Sequence, residues 1–347
     1  MDIQRRNLLK AGMALGAVAT AEYGAQANDS EPVIIPAFSG QRGLRIANFS
    51  SRSSSQSALG IVTDSGFVIH IAQEARRQKL KLAFEPTSML SLLNAGDVAL
   101  AQLQQLMSHA RPGGLTVSQV KLLSPIPRPQ SNIYAVGWNY LDHFEEGKNA
   151  RADKSVKEYP KVPVFFSKGT QTMNGPFDSI PYDASYSTAI DWEAEIAVII
   201  GKKGKNIPES EAMNYVFGYA AYNDTTARDV QQKRHSGQWF KGKSLDGHGP
   251  MGPWIVTANA VNLQDTRVIC RVNGVQKQNA SYEQMYFKIP VIISELSKGL
   301  TLLPGDIIAT GTPSGVGYSR IPPEFLKPGD VMETEITGVG IIRNRIA

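Results

Sequence analysis

Residues 189–203 read AIDWEAEIAVIIGKK, three carboxylates set into an otherwise apolar run. Alternation at a period of two is the pattern of a strand, whose successive side chains point to opposite faces. On that pattern Asp191, Glu193 and Glu195 share one face. Trp192, Ala194, Ile196, Val198 and Ile200 share the other, which reads as a core face. An acidic face like this is either solvated or holds a cation. Alternation alone does not decide, because GDVMETEITG (329–338) repeats it with Glu333 and Glu335 and reads as a solvated edge.

Working outward, GYAAYNDTTARDVQ (218–231) puts Asp224 just after a second apolar strand. A third carboxylate beside Glu193 and Glu195 would complete a hard, all-oxygen site suited to Mg²⁺, Mn²⁺ or Ca²⁺. Asp224 serves equally well as a cap for the helix that follows. IYAVGWNYLDHFEEG (133–147) starts as a strand and opens into a polar turn. His143 and Glu146 lie three residues apart there, on one helical face. They form either a surface pair or a general base whose carboxylate fixes the imidazole tautomer. Glu145 points elsewhere. Lys168 follows an apolar strand and either snorkels to the surface or meets an anion. Lys243 lies in a glycine-rich loop. In TGTPSGVG (310–317) the glycines allow close backbone approach, and Thr312 could orient a ligand oxygen.

The rest of the chain falls into two units. LRIANFS (44–50) reads as a strand, and residues 58–72 as a hairpin turning at Asp64-Ser65-Gly66. Residues 87–110 read as a helix capped by Thr87 or Ser88 and broken or bent at Gly96. Together residues 44–120 form a small α/β domain, and the proline-rich segment 121–132 an extended linker. Residues 133–347 are β-rich with few helices, residues 289–300 being one. Cys270, the single cysteine, reads as a buried thiol in a strand and excludes an intrachain disulfide.

Taken in order, GWNYLDHFEE, PVFFSK, DWEAEIAVIIG, GYAAYNDTTARDVQ, KGKSLDGHGPMGPW, VNGVQKQ, GDIIATGTPSGVG and LKPGDVMETEITGVG resemble the fumarylacetoacetate hydrolase family over about residues 130–343. The resemblance implies an α+β, β-rich fold, a mixed β-roll or sandwich behind a small N-terminal domain, commonly as a homodimer. It implies a divalent cation, Mg²⁺ or Mn²⁺ and sometimes Ca²⁺, on Glu193, Glu195 and Asp224. His143 and Glu146 match the family's water-activating dyad, with Lys243 in the catalytic set. Lys168, Arg228, Gln231 and Thr312 match substrate-binding positions. Leu141, where many members carry Arg, and Gly169, where many carry Pro, depart from the pattern. A charged segment, 147–161, follows the dyad and should influence specificity.

The activity so implied is hydrolysis of a C–C bond in a β-diketo acid, of acylpyruvate or fumarylpyruvate type, by way of an enolate at the cation. Isomerisation or decarboxylation of a related keto or hydroxymuconate acid is the alternative within the family. A periplasmic keto-acid-binding protein that keeps the cation but has lost turnover is the alternative of a different class.

Composition is that of an ordinary globular chain. The chain has 347 residues, 42% hydrophobic and 19% charged, with a formal charge of +5. Its basic residues are interleaved with acids, so no nucleic-acid stripe is expected. Residues 1–27 hold adjacent Arg5 and Arg6, a short weakly apolar run and Ala25-Gln26-Ala27. They resemble a twin-arginine signal, which implies folded export to the periplasm and no membrane insertion after cleavage. Residues 28–43 read as a tail.

Overall fold

In the computed structural model the described residues are 32–51, 56–111, 113–148 and 158–347. The expected signal, residues 1–27, and most of the charged segment 147–161 lie outside them. The fold is α+β and β-rich, in three layers. The middle layer is a twelve-stranded sheet. Its path runs Leu115–Thr116, Phe67–His70, Ser57–Val62, Arg45–Ser51, Gly249–Thr257, Val216–Asn223, Ala194–Ile200, Ile307–Ala309, Ile133–Gly137 and Val164–Lys168. Neighbours along it are antiparallel except Ile307–Ala309 with Ile133–Gly137. On one face Ile196, Val198, Tyr219 and Trp254 pack with Cys270, Met332 and Ile342. Those three belong to a four-stranded antiparallel sheet, Val275–Ser281, Arg267–Val272, Val331–Ile336 and Gly340–Arg345. On the other face Ala197, Ile199, Ala220 and Ile255 pack with Leu92, Leu93, Leu103 and Leu106 of the helix Met89–Ser108.

Local signals set local elements. The hairpin turns at Thr63–Gly66, and Ser88 caps the helix by accepting from the Ser91 amide at 3.2 Å. Gly96 interrupts that helix at φ 56°, ψ −131°. Ile289–Ser297 buries Ile289, Ile292, Ile293 and Leu296, the apolar stripe of a helix. Cys270 is buried in its strand, and burial pushes its thiol pKa up.

Longer-range pairing departs from the sequence reading. The expected linker begins as a strand, Val120–Leu123, paired with Arg45–Ser51. The N-terminal strands continue the large sheet, with Arg45 opposite Val256. Val331–Ile336 is an interior strand, not a solvated edge. Its acids are nevertheless tolerated, because Glu333 meets Arg343 at 2.9 Å and Glu335 meets Arg271 at 2.8 Å across the strands.

Candidate active site

The acidic stretch is two strands. Ile190–Asp191 pairs with Thr226–Ala227, and Ala194–Ile200 enters the large sheet. Between them Trp192 and Glu193 lie outside both strands, and the three acids take different partners. Asp191 accepts from Arg228 Nε at 2.8 Å and from the Gly317 amide at 2.7 Å. Glu193 accepts from Arg228 at 2.5 Å through one oxygen and from Lys243 Nζ at 2.5 Å through the other. Glu195 accepts from the Gly311 amide at 2.8 Å. Gly311 has φ +95°, and a Cβ there would lie 2.7 Å from Asn139 Cβ, so glycine is what brings this N–H to the carboxylate.

Asp224 follows the strand Val216–Asn223, and its amide donates to Glu193 O at 2.8 Å. It does not cap the next helix, whose N-cap is Ala227. Its carboxylate accepts from Lys168 Nζ at 2.6 Å and Lys243 Nζ at 2.7 Å. One ligand oxygen from each of Glu193, Glu195 and Asp224 lies within 4.8 Å of the others.

The sequence reading gave the task of compensating these buried acids to a bound cation. The structure gives much of it to Arg228, Lys243 and Lys168. Burial opposes the charge on Lys243, but Asp224 and Glu193 outweigh it and raise its pKa. Burial likewise opposes ionisation of Glu193, yet Lys243, Arg228 and His143 hold its pKa down at about 2. Glu195 is different. Among the described residues no lysine or arginine pairs with it. Burial, then the charges of Asp224 and Glu193, raise its pKa well above the carboxylate range. The cluster is therefore short of positive charge on the Glu195 side. Three convergent oxygens with one uncompensated carboxylate fit a hard divalent cation.

The dyad lies on the helix Leu141–Glu146. His143 Nδ1 is 2.8 Å from Glu146 Oε1. A carboxylate only accepts, so Nδ1 donates and Nε2 is left as the basic nitrogen. Glu146 also accepts from the Gly315 amide at 2.9 Å. Glu145 turns away and pairs with Lys148 at 2.7 Å.

A cavity of about 540 Å³ joins these groups. Its walls include His143, Glu193, Glu195, Arg228, Gln231, Lys243 and Thr312. Lys168 stands behind the acids rather than on the wall. It is fully buried, and besides Asp224 it donates to Thr225 O at 3.1 Å and His248 O at 3.0 Å. Leu141 is exposed and is not on the wall.

Gln278 is a residue the sequence reading passed over. It is buried, accepts from the Ala194 amide at 3.0 Å, and donates to Thr312 Oγ1 at 2.7 Å and Pro313 O at 2.8 Å. Thr312 in turn donates to Ala194 O at 3.0 Å. The two tie the 310–317 loop to the strand carrying Glu195. A glutamine at a buried position of an alternating strand, Val275–Ser281, was the available signal.

Comparison with known proteins follows this geometry. Residues 132–347 match the family described as fumarylacetoacetate (FAA) hydrolase C-terminal. Oxaloacetate tautomerase YisK of Bacillus subtilis is 39% identical over 297 residues, covering 83% of this chain and 95% of that protein. A human mitochondrial oxaloacetate tautomerase is 37% identical over 314 residues, covering 89% and 93%. Among solved structures, a maleylpyruvate hydrolase from Sphingobium sp. SYK-6 in complex with manganese (II) ion and pyruvate is 28% identical. Its TM-score is 0.67, over 87% of this chain and 98% of that one.

Proposed function

The chain belongs to the fumarylacetoacetate hydrolase family, and from that premise we propose a divalent-cation-dependent tautomerase of a short 2-keto acid of the oxaloacetate type. Support comes from relatives similar over nearly their whole length and from one geometric observation. His143, with Nε2 as its basic nitrogen, lines the same cavity as Glu193 and Glu195.

Mg²⁺ or Mn²⁺, when bound to Glu193, Glu195 and Asp224, would polarise the keto group and lower the acidity barrier at the neighbouring carbon. The protein's own groups do the rest. Lys168 fixes Asp224 from behind, and Arg228 fixes Glu193 while its Nη1 donates to Gln231. Gln278 and Thr312 fix the strand end that carries Glu195. Glu146 keeps the proton on Nδ1 of His143. Nε2 then takes the proton from the carbon beside the keto group and returns it to the enol oxygen. The Lys243 ammonium, on the same cavity wall, would stabilise negative charge developing on that oxygen.

C–C bond hydrolysis of a β-diketo acid is the second reading. The His143–Glu146 pair favours it, because the same nitrogen could take a proton from water instead. The two are separated by product. The Mn²⁺-loaded protein is given oxaloacetate, with the enol followed by ultraviolet absorbance, and 2,4-dioxopentanoate, with pyruvate assayed. Faster keto–enol exchange of oxaloacetate, with no pyruvate and acetate formed from 2,4-dioxopentanoate, supports the tautomerase, and release of pyruvate with acetate from 2,4-dioxopentanoate supports the hydrolase. No acceleration of either refutes both.

Export to the periplasm is a separate proposal resting on Arg5 and Arg6. Replacing both with Lys should leave the protein in the cytoplasm, and undiminished export would refute the signal.

A further inference from the structure

A cavity of about 540 Å³ exceeds what a four-carbon acid needs and falls in the range that holds drug-sized ligands. Its charge is gathered at one end. Among the described lining residues the lysine and arginine are Lys243 and Arg228, and each already faces a carboxylate. The rest of the wall includes three aromatic residues beside the uncharged polar Gln232, Ser236 and Gln238. Phe166 is the joint between the two: Lys243 Nζ lies 5.1 Å from its ring centre, and the Trp239 ring 5.3 Å. Trp239 meets Trp138 nearly edge-on at 5.1 Å. All three rings line the cavity.

We propose that Trp138, Phe166 and Trp239 form a subsite for a planar, uncharged substituent of a 2-keto acid, and that Trp239 sets its fit. The site would then take aryl-substituted 2,4-dioxo acids as well as the short acid. This rests on the reading that the keto-acid end lies at the carboxylate cluster. Aromatic walls gain from an edge or offset ring contact with a planar group, and the polar lining beside Trp239, namely Gln232, Ser236 and Gln238, carries no charge to pair with a carboxylate at the far end of a longer acid.

Local geometry makes Trp239 the adjustable member. It ends a solvent-exposed tip whose residues His235, Ser236 and Gly237 have φ of 52°, 53° and 78°. The tip joins the helices Arg228–Lys233 and Phe240–Lys243. Those helices are locked together, since a Cβ on Gly242 would lie 2.5 Å from the Gln231 nitrogen. Trp239 turns inward from the tip and lies over Gly137, where a Cβ would come 2.4 Å from the indole Cζ3. Gly137 is not at positive φ. The indole is what excludes a side chain there, so an added methyl at 137 must displace Trp239.

The test uses Mn²⁺-loaded protein carrying His143→Gln, so that turnover does not disturb binding. Calorimetry gives Kd for 4-phenyl-2,4-dioxobutanoate and for 2,4-dioxopentanoate. The phenyl acid should bind about ten-fold tighter, the order expected of one or two aromatic contacts. Trp239→Ala, and separately Gly137→Ala with the indole retained, should each cut that ratio at least five-fold. Trp239→Leu replaces Trp239→Ala if thermal melting shows that the latter does not fold. A starting ratio near one, or a ratio unmoved by both changes, overturns the subsite while leaving the keto-acid reading standing. Failure of both acids to bind overturns both.

Discussion

Replacing Lys168 with Met tests the charge balance directly. Lys168 and Asp224 are both fully buried, and among the described residues the ammonium supplies one of the two cationic contacts to that carboxylate. Met keeps most of the volume and removes the charge. Breaking a buried pair from one side costs about 3–5 kcal/mol, because the partner charge is left uncompensated. The carbonyls of Thr225 and His248 lose a donor as well, which adds to the cost. At roughly 2 °C per kcal/mol the melting point in chelator should fall by about 6–10 °C. A divalent cation at Asp224 would restore the missing charge. The shift on adding Mn²⁺ should therefore be larger in Lys168→Met than in the wild type, since ligand binding to the native state adds to its stability. Differential scanning calorimetry with and without Mn²⁺ reads both quantities. A fall below about 2 °C in chelator, or equal Mn²⁺ shifts in the two proteins, would refute the reasoning.

Other outcomes follow from the same geometry. Glu195→Gln should weaken Mn²⁺ binding at least about 100-fold by titration calorimetry while leaving metal-free stability within about 1 kcal/mol, because the acid it replaces is the uncompensated one. His143→Gln should lower kcat by about 10²–10⁴-fold and leave the Mn²⁺ affinity intact. His248 is buried, and burial lowers its pKa from 6.5 to about 4. Between those values the unfolded chain binds a proton that the folded one refuses. Stability should thus fall by about 3 kcal/mol as pH drops from about 6.5 to about 4. The His248→Gln variant should lose that component in urea titrations, and identical pH profiles would contradict it.

Features carried by neighbours in sequence were legible. The hairpin at 63–66, the Ser88 cap, the Gly96 break and the pairing of His143 with Glu146 all follow from spacing of four residues or fewer. What failed was partnership across distance. Nothing in AIDWEAEIAVII says that Arg228, 37 residues on, will claim Asp191. Alternation could not reveal the break in the strand at Trp192-Glu193, which puts Asp191 in a strand apart from the one carrying Glu195. Lys168 read as a surface snorkel or a substrate contact, because a lysine after an apolar strand gives no sign of three internal acceptors. Glu333 and Glu335 looked solvated because the arginines that pair with them, Arg343 and Arg271, belong to other strands. The proline-rich segment looked like a boundary, yet Val120–Leu123 pairs with a strand some seventy residues earlier. Strand pairing of this kind is set by the whole sheet and leaves no local trace.

The central claim is a single divalent cation held jointly by Glu193, Glu195 and Asp224. Anomalous diffraction from crystals grown with Mn²⁺ tests it most directly. The expected result is one strong peak about 2.1 Å from an oxygen of each of the three residues, absent in Glu195→Gln crystals. A peak at other residues, or an unaltered peak in that variant, would contradict it.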